Sequence, residues 1–240
     1  MNAVPKTAMV MAAGLGKRMR PLTDHRPKPL VALAGKPLID HVLDRLRAAG
    51  VWRVVVNVHY FPEQVEAHLK AHAADLDVAI SDERGLLLET GGGLVLALPL
   101  IAADPFLVVN SDNFWTDGDG DALCKLAAAW DGAAMDALLL LVPRARASNH
   151  GGSGDFNLDP SGRLARRAPD AHFAEYVFTG VQIIARRLLR DAPDGPFSTN
   201  LLWDRAIGEG RAYGAVHDGR WFDVGTPAAI AATEAVLASA

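Results

Sequence analysis

Short apolar segments alternate with amphipathic segments along the first half of the chain, and few folds accommodate that order. The predicted elements are strands over 8–12, 54–58, 78–81 and 106–109 and helices over 37–50 and 62–72. Parallel strands need long crossover connections, so the alternation predicts a mostly parallel sheet with helices on both faces. Ligands of such sheets bind beyond the carboxyl ends of the strands, where the loops after Ala13 and Val109 lie.

The second half of the chain has a looser pattern. The predicted elements there are strands over 137–142, 176–184, 212–216 and 221–224 and a terminal helix over 227–238. A glycine-rich segment over 151–154 follows the first of these strands. The chain has neither a fixed-period repeat nor a stretch that resembles an interdomain linker. We therefore expect one α/β domain over 1–240, with a main part over about 1–142 and a substrate-binding elaboration over about 143–225.

Composition restricts the partners of this chain. Half of its 240 residues are hydrophobic, 22% are charged and the net charge is −4. This composition allows a large buried core and offers no basic excess for nucleic acid. The most apolar run, 138–142, is far shorter than the roughly 20 residues that cross a membrane. We therefore expect a soluble protein that binds neither nucleic acid nor a membrane.

The chain contains a single cysteine, Cys124. It cannot form an intramolecular disulfide, and its amphipathic helical surroundings predict a small core residue. A reducing compartment suits a chain with this cysteine usage. Together with the absence of an export signal at the N-terminus, this predicts a cytoplasmic location.

A glycine loop with basic residues follows the first predicted strand. It reads Ala-Ala-Gly-Leu-Gly-Lys-Arg-Met over 12–19, and Lys28 follows in Arg-Pro-Lys-Pro-Leu. Glycine permits a sharp turn that brings backbone N–H groups close to an anion, and basic side chains add positive charge. Two phosphate motifs fail, because Met19 replaces the last glycine of the dinucleotide pattern and Arg18 replaces the serine or threonine of the phosphate loop. From these residues alone, a structural turn and an anion site both remain open.

The segment from Met11 to Leu30 resembles the Leu-Ala-Ala-Gly-x-Gly-x-Arg and Pro-Lys-Pro-Leu motifs of sugar-1-phosphate nucleotidyltransferases. The resemblance covers nearly all of the chain, and it extends to the N-acetylmuramate α-1-phosphate uridylyltransferase group of bacterial cell-wall recycling. It implies a Rossmann-like three-layer sandwich with a mixed, mostly parallel sheet. It also implies transfer of a nucleotidyl group, from UTP in that group, to a sugar 1-phosphate with release of pyrophosphate.

The resemblance implies roles for residues of the loop. Ala13 and Gly14 would present backbone groups to the base and sugar of the nucleotide. Lys28 would reach the α-phosphate and the incoming sugar phosphate, where fixed cations stabilise the charge that develops during in-line attack. The residues implied to hold the β- and γ-phosphates are Gly16, Lys17 and Arg18.

A second glycine segment, Leu-Glu-Thr-Gly-Gly-Gly over 88–93, precedes an apolar helical run. Considered alone, its three glycines are equally typical of a flexible segment before a helix. The resemblance places the segment beside the nucleotide base, with Glu89, Thr90 and Gly92 as binding residues. An ionised Glu89 only accepts hydrogen bonds, so it would suit N3–H of uracil or thymine or N1–H of guanine.

Two aspartates follow apolar runs that are far apart in the sequence. Asp112 ends Asn-Ser-Asp, and Asp223 lies in Trp-Phe-Asp-Val-Gly-Thr. Either aspartate alone is typical of a turn or a cap. The resemblance assigns both to Mg²⁺, which typically takes one or two carboxylates together with substrate phosphates and water. Ser111 departs from the glycine that is usual in the family and leaves the carboxylate in place.

The resemblance completes the set of expected site residues. The expected catalytic residues are Arg18, Lys28, Asp112 and Asp223. The expected sugar-binding residues are Asn110, Asp155, Thr179 and Gly180. Three alternatives remain: transfer between GTP and mannose 1-phosphate, a non-catalytic nucleotide-sugar sensor, and a dinucleotide oxidoreductase, which Met19 disfavours. The sequence predicts no oligomeric state.

Overall fold

Fourteen strands and six α-helices form within residues 3–239, the part of the chain that this computed structural model describes. The strands are β1 (Thr7–Met11), β2 (Ala32–Leu33), β3 (Lys36–Pro37), β4 (Arg53–Val58), β5 (Asp77–Asp82), β6 (Phe106–Asn110), β7 (Asn113–Thr116), β8 (Ala137–Pro143), β9 (Ala147–Ser148), β10 (Phe156–Leu158), β11 (Leu164–Arg166), β12 (Tyr176–Ile184), β13 (Ala212–Val216) and β14 (Arg220–Asp223). The helices are α1 (Leu38–Ala48), α2 (Pro62–His72), α3 (Glu89–Ala97), α4 (Ala122–Ala129), α5 (Asn200–Gly208) and α6 (Pro227–Ala238). Short 3₁₀ turns include Lys17–Met19 and Lys28–Leu30.

The central sheet contains both parallel and antiparallel pairs. Its strand order is β11-β10-β12-β6-β1-β4-β5, and β8 pairs with both β12 and β13. The neighbours β6, β1, β4 and β5 are mutually parallel, whereas β12 runs antiparallel to β6 and β8. Two smaller sheets, β7-β14-β9 and β2-β3, lie outside it. The predicted mixed, mostly parallel α/β sheet is confirmed.

Helices cover the two faces of this sheet because successive strand residues point to opposite sides. Val54 and Val56 of β4 belong to one apolar cluster with α1, α2 and α4. Val55 lies between them in the sequence and belongs to the other cluster, with α3 and α5. A third cluster joins Met19 of the glycine loop, Phe222 and α6. The three-layer arrangement therefore follows from near-continuous apolar strands that are buried on both faces.

Most predicted elements lie where the pattern placed them, and the expectation that Cys124 is a core residue was wrong. The predicted bounds match for α2, α6, β12 and β13, whereas β7, β9, β10, β11 and α5 were not predicted. Cys124 is exposed, because α4 buries its other face through residues such as Leu123 and Leu126. The glycines at 91–93 lie inside α3, which begins at Glu89. Within residues 3–239, none of the helices combines the length and apolar character needed to cross a bilayer.

Candidate active site

A cavity of about 400 Å³ opens at the carboxyl ends of β1, β4 and β6. This is the edge where an α/β sheet presents its loops to a ligand. The residues that line it are Met11, Ala12, Ala13, Gly14, Lys28, Pro29, Asn57, Leu87, Glu89, Thr90, Asn110, Ser111, Asp112 and Ser198. The glycine loop and the segment over 88–93, which are far apart in the sequence, thus contribute to one lining. We name this space the first cavity.

A second cavity of about 190 Å³ adjoins the first. Its lining residues are Arg18, Lys28, Asn110, Asp112, Asn113, His150, Asp155, Val177, Phe178, Thr179, Gly180, Trp221, Phe222, Asp223 and Val224. Lys28, Asn110 and Asp112 line both cavities and therefore mark the junction between them. Two ligands, one in each cavity, would meet at these three residues.

Lys28 and Asp112 form an ion pair at this junction. Their side chains are 13% and 31% exposed, so water screens this pair less than a typical surface pair. Lys28 lies in the 3₁₀ turn Lys28–Leu30, and Asp112 follows β6 directly. The ammonium and the carboxylate could each turn toward an incoming phosphate or metal ion, because both line open space.

The glycine loop turns sharply at Gly16. Its φ of +61° lies in the left-handed region, and a Cβ there would come within 3.0 Å of Thr23 and 3.1 Å of Lys28. The hydroxyl of Thr23 donates to the Gly16 carbonyl at 2.9 Å and fixes the turn. Gly16 and Lys17 are not among the residues that line either cavity, whereas Gly14 lines the first and Arg18 the second. The structure therefore separates Arg18 from Ala13 and Gly14.

Asp223 ends β14 and lines the second cavity. Its Oδ1 accepts a hydrogen bond from Gly225 N at 2.9 Å. A Cβ on Gly225 would lie 2.8 Å from Asp223 Oδ1 and 3.0 Å from Arg18 Nη2, so glycine leaves room for both side chains. His150 Nδ1 lies 3.7 Å from Asp223 Oδ2. The two expected metal ligands, Asp112 and Asp223, line the same cavity.

The glycines of α3 permit close packing against a later segment of the chain. Gly91 N and Gly92 N donate to the Phe197 carbonyl at 2.8 and 3.3 Å, which satisfies N–H groups that a helix start leaves free. A Cβ on Gly91 would lie 2.3 Å from the ring of Phe197, and one on Gly92 would lie 2.4 Å from the carbonyl oxygen of Gly195. Gly92 is therefore buried behind this contact, while Glu89 and Thr90 line the first cavity.

Glu89 has a left-handed backbone conformation with φ of +59°. This conformation is costly for a residue with a side chain and is held in place by surrounding structure. Here Thr199 N donates to Thr90 Oγ1 at 2.9 Å, and Phe197 N donates to the Leu88 carbonyl at 3.2 Å. These contacts fix the residues on either side of Glu89. They hold its carboxylate at the rim of the first cavity.

We expect Gly92→Ala to lower the free energy of unfolding by about 1–3 kcal/mol, because the methyl group overlaps backbone that cannot move cheaply. The control is Gly208→Ala at the end of α5, where a Cβ meets nothing within 4 Å. That change should leave the protein equally stable or raise its stability by about 0.5 kcal/mol. Urea denaturation of both variants measures the difference. Equal midpoints for the two variants would contradict the packing described for α3.

The residues expected to bind the sugar all line the second cavity. Gly180 has φ of +84°, and a Cβ there would lie 2.8 Å from Asn110 Nδ2 and 3.1 Å from Asn113 Nδ2. Asp155 Oδ2 accepts a hydrogen bond from Phe178 N at 2.8 Å. The hydroxyl of Thr179 donates to the Leu140 carbonyl at 2.8 Å, so only its acceptor capacity is left for a ligand.

The sequence analysis missed several residues that line the cavities, among them Asn57, His150 and Ser198. Asn57 lines the first cavity, and its signal was a polar residue inside the apolar run of β4. His150 lines the second cavity and Ser198 the first, and both lie in glycine-, serine- or asparagine-rich stretches where no pattern marks them. Their positions depend on contacts between distant segments, such as the pairing of β9 with β14.

Comparison with known proteins identifies the family. The nucleotidyl transferase family profile matches residues 7–155, which include the glycine loop, the segment over 88–93 and Asp112. The chain belongs to this family. The N-acetylmuramate alpha-1-phosphate uridylyltransferase of Caulobacter vibrioides is 48% identical over 243 residues, which covers 100% of both chains. The enzyme of the same name from Neisseria meningitidis serogroup B is 38% identical over 91% of this chain and 93% of its own.

Solved structures share the fold of this nucleotidyl transferase. A UDP-glucose pyrophosphorylase complexed with UDP-glucose superposes with a TM-score of 0.80 over 100% of this chain and 99% of its own, at 14% identity. At that identity the likeness concerns the fold alone. It agrees with the Rossmann-like mixed sheet described above.

Proposed function

We propose that this nucleotidyl transferase joins the uridylyl group of UTP to N-acetylmuramate α-1-phosphate and releases pyrophosphate. The observation that carries the proposal is the end-to-end 48% identity with a relative named for this activity. The geometry supports it, because two adjoining cavities that share Lys28 and Asp112 suit two substrates that react at their junction. The nucleotide would occupy the first cavity and the sugar 1-phosphate the second.

The proposed reaction is a single displacement. A phosphate oxygen of the sugar 1-phosphate forms a bond to the α-phosphorus, and the bond from that phosphorus to the bridging oxygen of pyrophosphate breaks. Lys28 would hold the α-phosphate and sugar phosphate together at the junction, which lowers the entropic barrier and offsets developing charge. Arg18, which the resemblance assigns to the β- and γ-phosphates, lines the second cavity, so it would bind phosphate oxygens in bidentate fashion from that side of the junction.

The donor set of the second cavity fits a magnesium ion. Asp112 and Asp223 line it, and Mg²⁺ typically takes one or two carboxylates, with phosphate oxygens and water completing its shell. We propose that these two aspartates hold the ion. When bound, Mg²⁺ would supply Lewis-acid stabilisation of phosphoryl oxygens and orientation of both phosphates. Gly225 N fixes Asp223 Oδ1, which limits the rotation of that carboxylate.

The remaining assignments concern the base, the sugar and the cellular setting. Ala13, Gly14, Glu89 and Thr90 would bind the nucleotide, and Asn110, Asp155, Thr179 and Gly180 would bind the sugar. The sugar-binding elaboration over about 143–225 stays a prediction, and it would contribute most of the second cavity. We also propose a cytoplasmic role in the recycling of cell-wall sugars, which rests on the assignment of N-acetylmuramate α-1-phosphate as the substrate.

Pyrophosphate release measured over a grid of nucleoside triphosphates and sugar 1-phosphates with Mg²⁺ tests this function. We expect the highest kcat/KM for UTP with N-acetylmuramate α-1-phosphate. A preference for GTP with mannose 1-phosphate would change the assigned substrates and leave the assigned reaction type unchanged. No turnover across the grid, with UDP-sugar binding retained, would favour a non-catalytic sensor. The presence of all four expected catalytic residues disfavours that alternative: Arg18, Lys28, Asp112 and Asp223.

We expect Glu89→Gln to weaken the preference for UTP over CTP. The carboxylate accepts from N3–H of uracil, whereas the amide of glutamine can also donate to the bare N3 of cytosine. The ratio of kcat/KM for UTP to that for CTP should fall about 10-fold or more, since a mismatched charged hydrogen bond costs about 1.5–3 kcal/mol. Glu209→Gln at the exposed end of α5 is the control. An unchanged ratio would show that Glu89 does not read the base.

A further inference from the structure

A buried carboxylate and a buried amide are hydrogen-bonded to each other beside the first cavity, which Asn57 lines. Glu83 is 2% exposed and Asn57 is 1% exposed. Asn57 Nδ2 donates to Glu83 Oε1 at 2.6 Å. Asn57 Oδ1 accepts from Ala12 N at 2.7 Å, and Glu83 Oε2 accepts from Leu88 N at 3.0 Å. Three hydrogen bonds in series therefore link Ala12 to Leu88.

The two ends of this series lie next to two segments that line the first cavity. Ala12 is the first residue after β1 and leads into the glycine loop, whose Ala13 and Gly14 line the cavity. Leu88 immediately precedes Glu89 and Thr90, which line it as well. The series therefore connects the two lining segments that would contact the nucleotide.

The hydrogen-bonding capacities along the series fix its chemistry. Both ends are backbone N–H groups, which only donate. The side-chain amide of Asn57 accepts through its oxygen and donates through its nitrogen. The residue between Asn57 and Leu88 must therefore accept through both of its terminal atoms. A carboxylate has two acceptor oxygens, whereas an amide has only one. Glu83 supplies that acceptor-only member, and its backbone is held by His59 Nδ1, which lies 2.8 Å from the Glu83 carbonyl oxygen.

The packing around the series leaves little room for adjustment. A Cβ on Gly93 of α3 would lie 2.7 Å from Glu83 Oε1 and 3.1 Å from Asn57 Nδ2. The helix that carries Glu89 and Thr90 therefore approaches the pair as closely as backbone permits. A shift of the pair would move the start of α3 and with it part of the cavity lining.

We propose that Glu83 and Asn57 are positioning residues for the nucleotide, which set the distance between the glycine loop and the Glu89–Thr90 segment. This inference rests on the proposed function, because it assigns the first cavity to the nucleotide. Neither residue acts on the sugar 1-phosphate, which would lie in the second cavity. Their loss therefore weakens UTP binding and leaves sugar 1-phosphate binding unchanged.

A reciprocal exchange of the amide and the carboxylate tests the proposal. In Glu83→Gln, the new NH₂ group must face another donor, either Asn57 Nδ2 or Leu88 N. In Asn57→Asp, the new carboxylate faces the carboxylate of Glu83. The double variant N57D/E83Q restores every bond, because the carboxylate at position 57 accepts from Ala12 N and from the amide at position 83, whose oxygen accepts from Leu88 N. It also keeps the net charge. Glu209→Gln is the control for an exposed glutamate.

The readouts are the KM for UTP, the KM for the sugar 1-phosphate and the melting temperature. We expect each single variant to raise the KM for UTP about 10-fold, since a buried unsatisfied polar group costs about one tenfold step or more in affinity. The double variant should return within about 3-fold of the wild type. The KM for the sugar 1-phosphate should change less than about 2-fold in all variants, because additivity holds between separate sites.

Other outcomes overturn the inference. A double variant as impaired as the single variants would do so, as would single variants with a lower melting temperature and a normal KM for UTP. If a single variant does not fold, the KM of the double variant for UTP decides alone. A normal KM supports the inference, and a raised KM contradicts it. If the wild type releases no pyrophosphate, the proposed function fails, and calorimetric UTP affinity in the same variants tests the positioning role directly.

Discussion

Asp112→Asn and Asp223→Asn are each expected to lower kcat by about 10²–10³-fold, the cost typical of removing one fixed group that stabilises a developing charge. Asparagine keeps the size of each side chain and removes the negative charge that would attract Mg²⁺. Asp223→Asn retains an oxygen that can accept from Gly225 N, so its local structure should persist. The apparent affinity for Mg²⁺ should fall together with kcat. Steady-state assays over a range of Mg²⁺ concentrations measure both quantities.

The control for this experiment is a second ion pair of the same type. Asp218 pairs with Lys125 on the surface, where the two side chains are 41% and 43% exposed. Asp218→Asn removes an equal charge outside the two cavities and should change kcat less than about 2-fold, since exposed pairs contribute little. A normal Mg²⁺ dependence in either Asp112→Asn or Asp223→Asn would show that the aspartate in question does not hold the ion.

The sequence predicted the central layers of the fold well because their causes are local. The apolar runs of β1 and β6, and that of β4 apart from Asn57, are nearly continuous, since strands buried on both faces have no polar side. Helix α2 begins at a proline and α6 follows Thr226, whose side chain caps the helix by accepting from Ala229 N at 3.2 Å. Each of these signals is contained within a few neighbouring residues. Pattern analysis can therefore read them directly.

The prediction missed features that depend on distant contacts. The glycines of α3 resemble a flexible segment until Phe197, about a hundred residues later, is known to pack on them. Glu83 stands in an ordinary polar loop, and its role depends on Asn57 and Leu88 meeting it. The junction of the two cavities likewise arises from Lys28 and Asp112, which are 84 residues apart. Spacing along the chain carries no information on such pairings.

Lys28→Met is expected to lower kcat/KM by about 10²–10³-fold, because it removes the cation at the junction of the two cavities and keeps the apolar stem. Only 13% of the Lys28 side chain is exposed, so its charge acts where water screens it weakly. Lys28→Arg should recover only part of the activity, since a planar guanidinium is wider than an ammonium and presents its donors in a fixed fork. Lys125→Met, at the exposed ion pair with Asp218, is the control.

The double variant K28M/D112N separates a catalytic role of Lys28 from one confined to holding Asp112. If Lys28 binds the phosphates itself, Lys28→Met should lower kcat/KM further in an Asp112→Asn background, toward the product of the two single losses, because independent contributions are additive. If Lys28 only orients Asp112, Lys28→Met should change nothing once Asp112 is already asparagine. The single variant Lys28→Met gives a simpler test. If its kcat/KM stays within about 3-fold of the wild-type value, Lys28 does not stabilise the transition state appreciably and is not a catalytic residue.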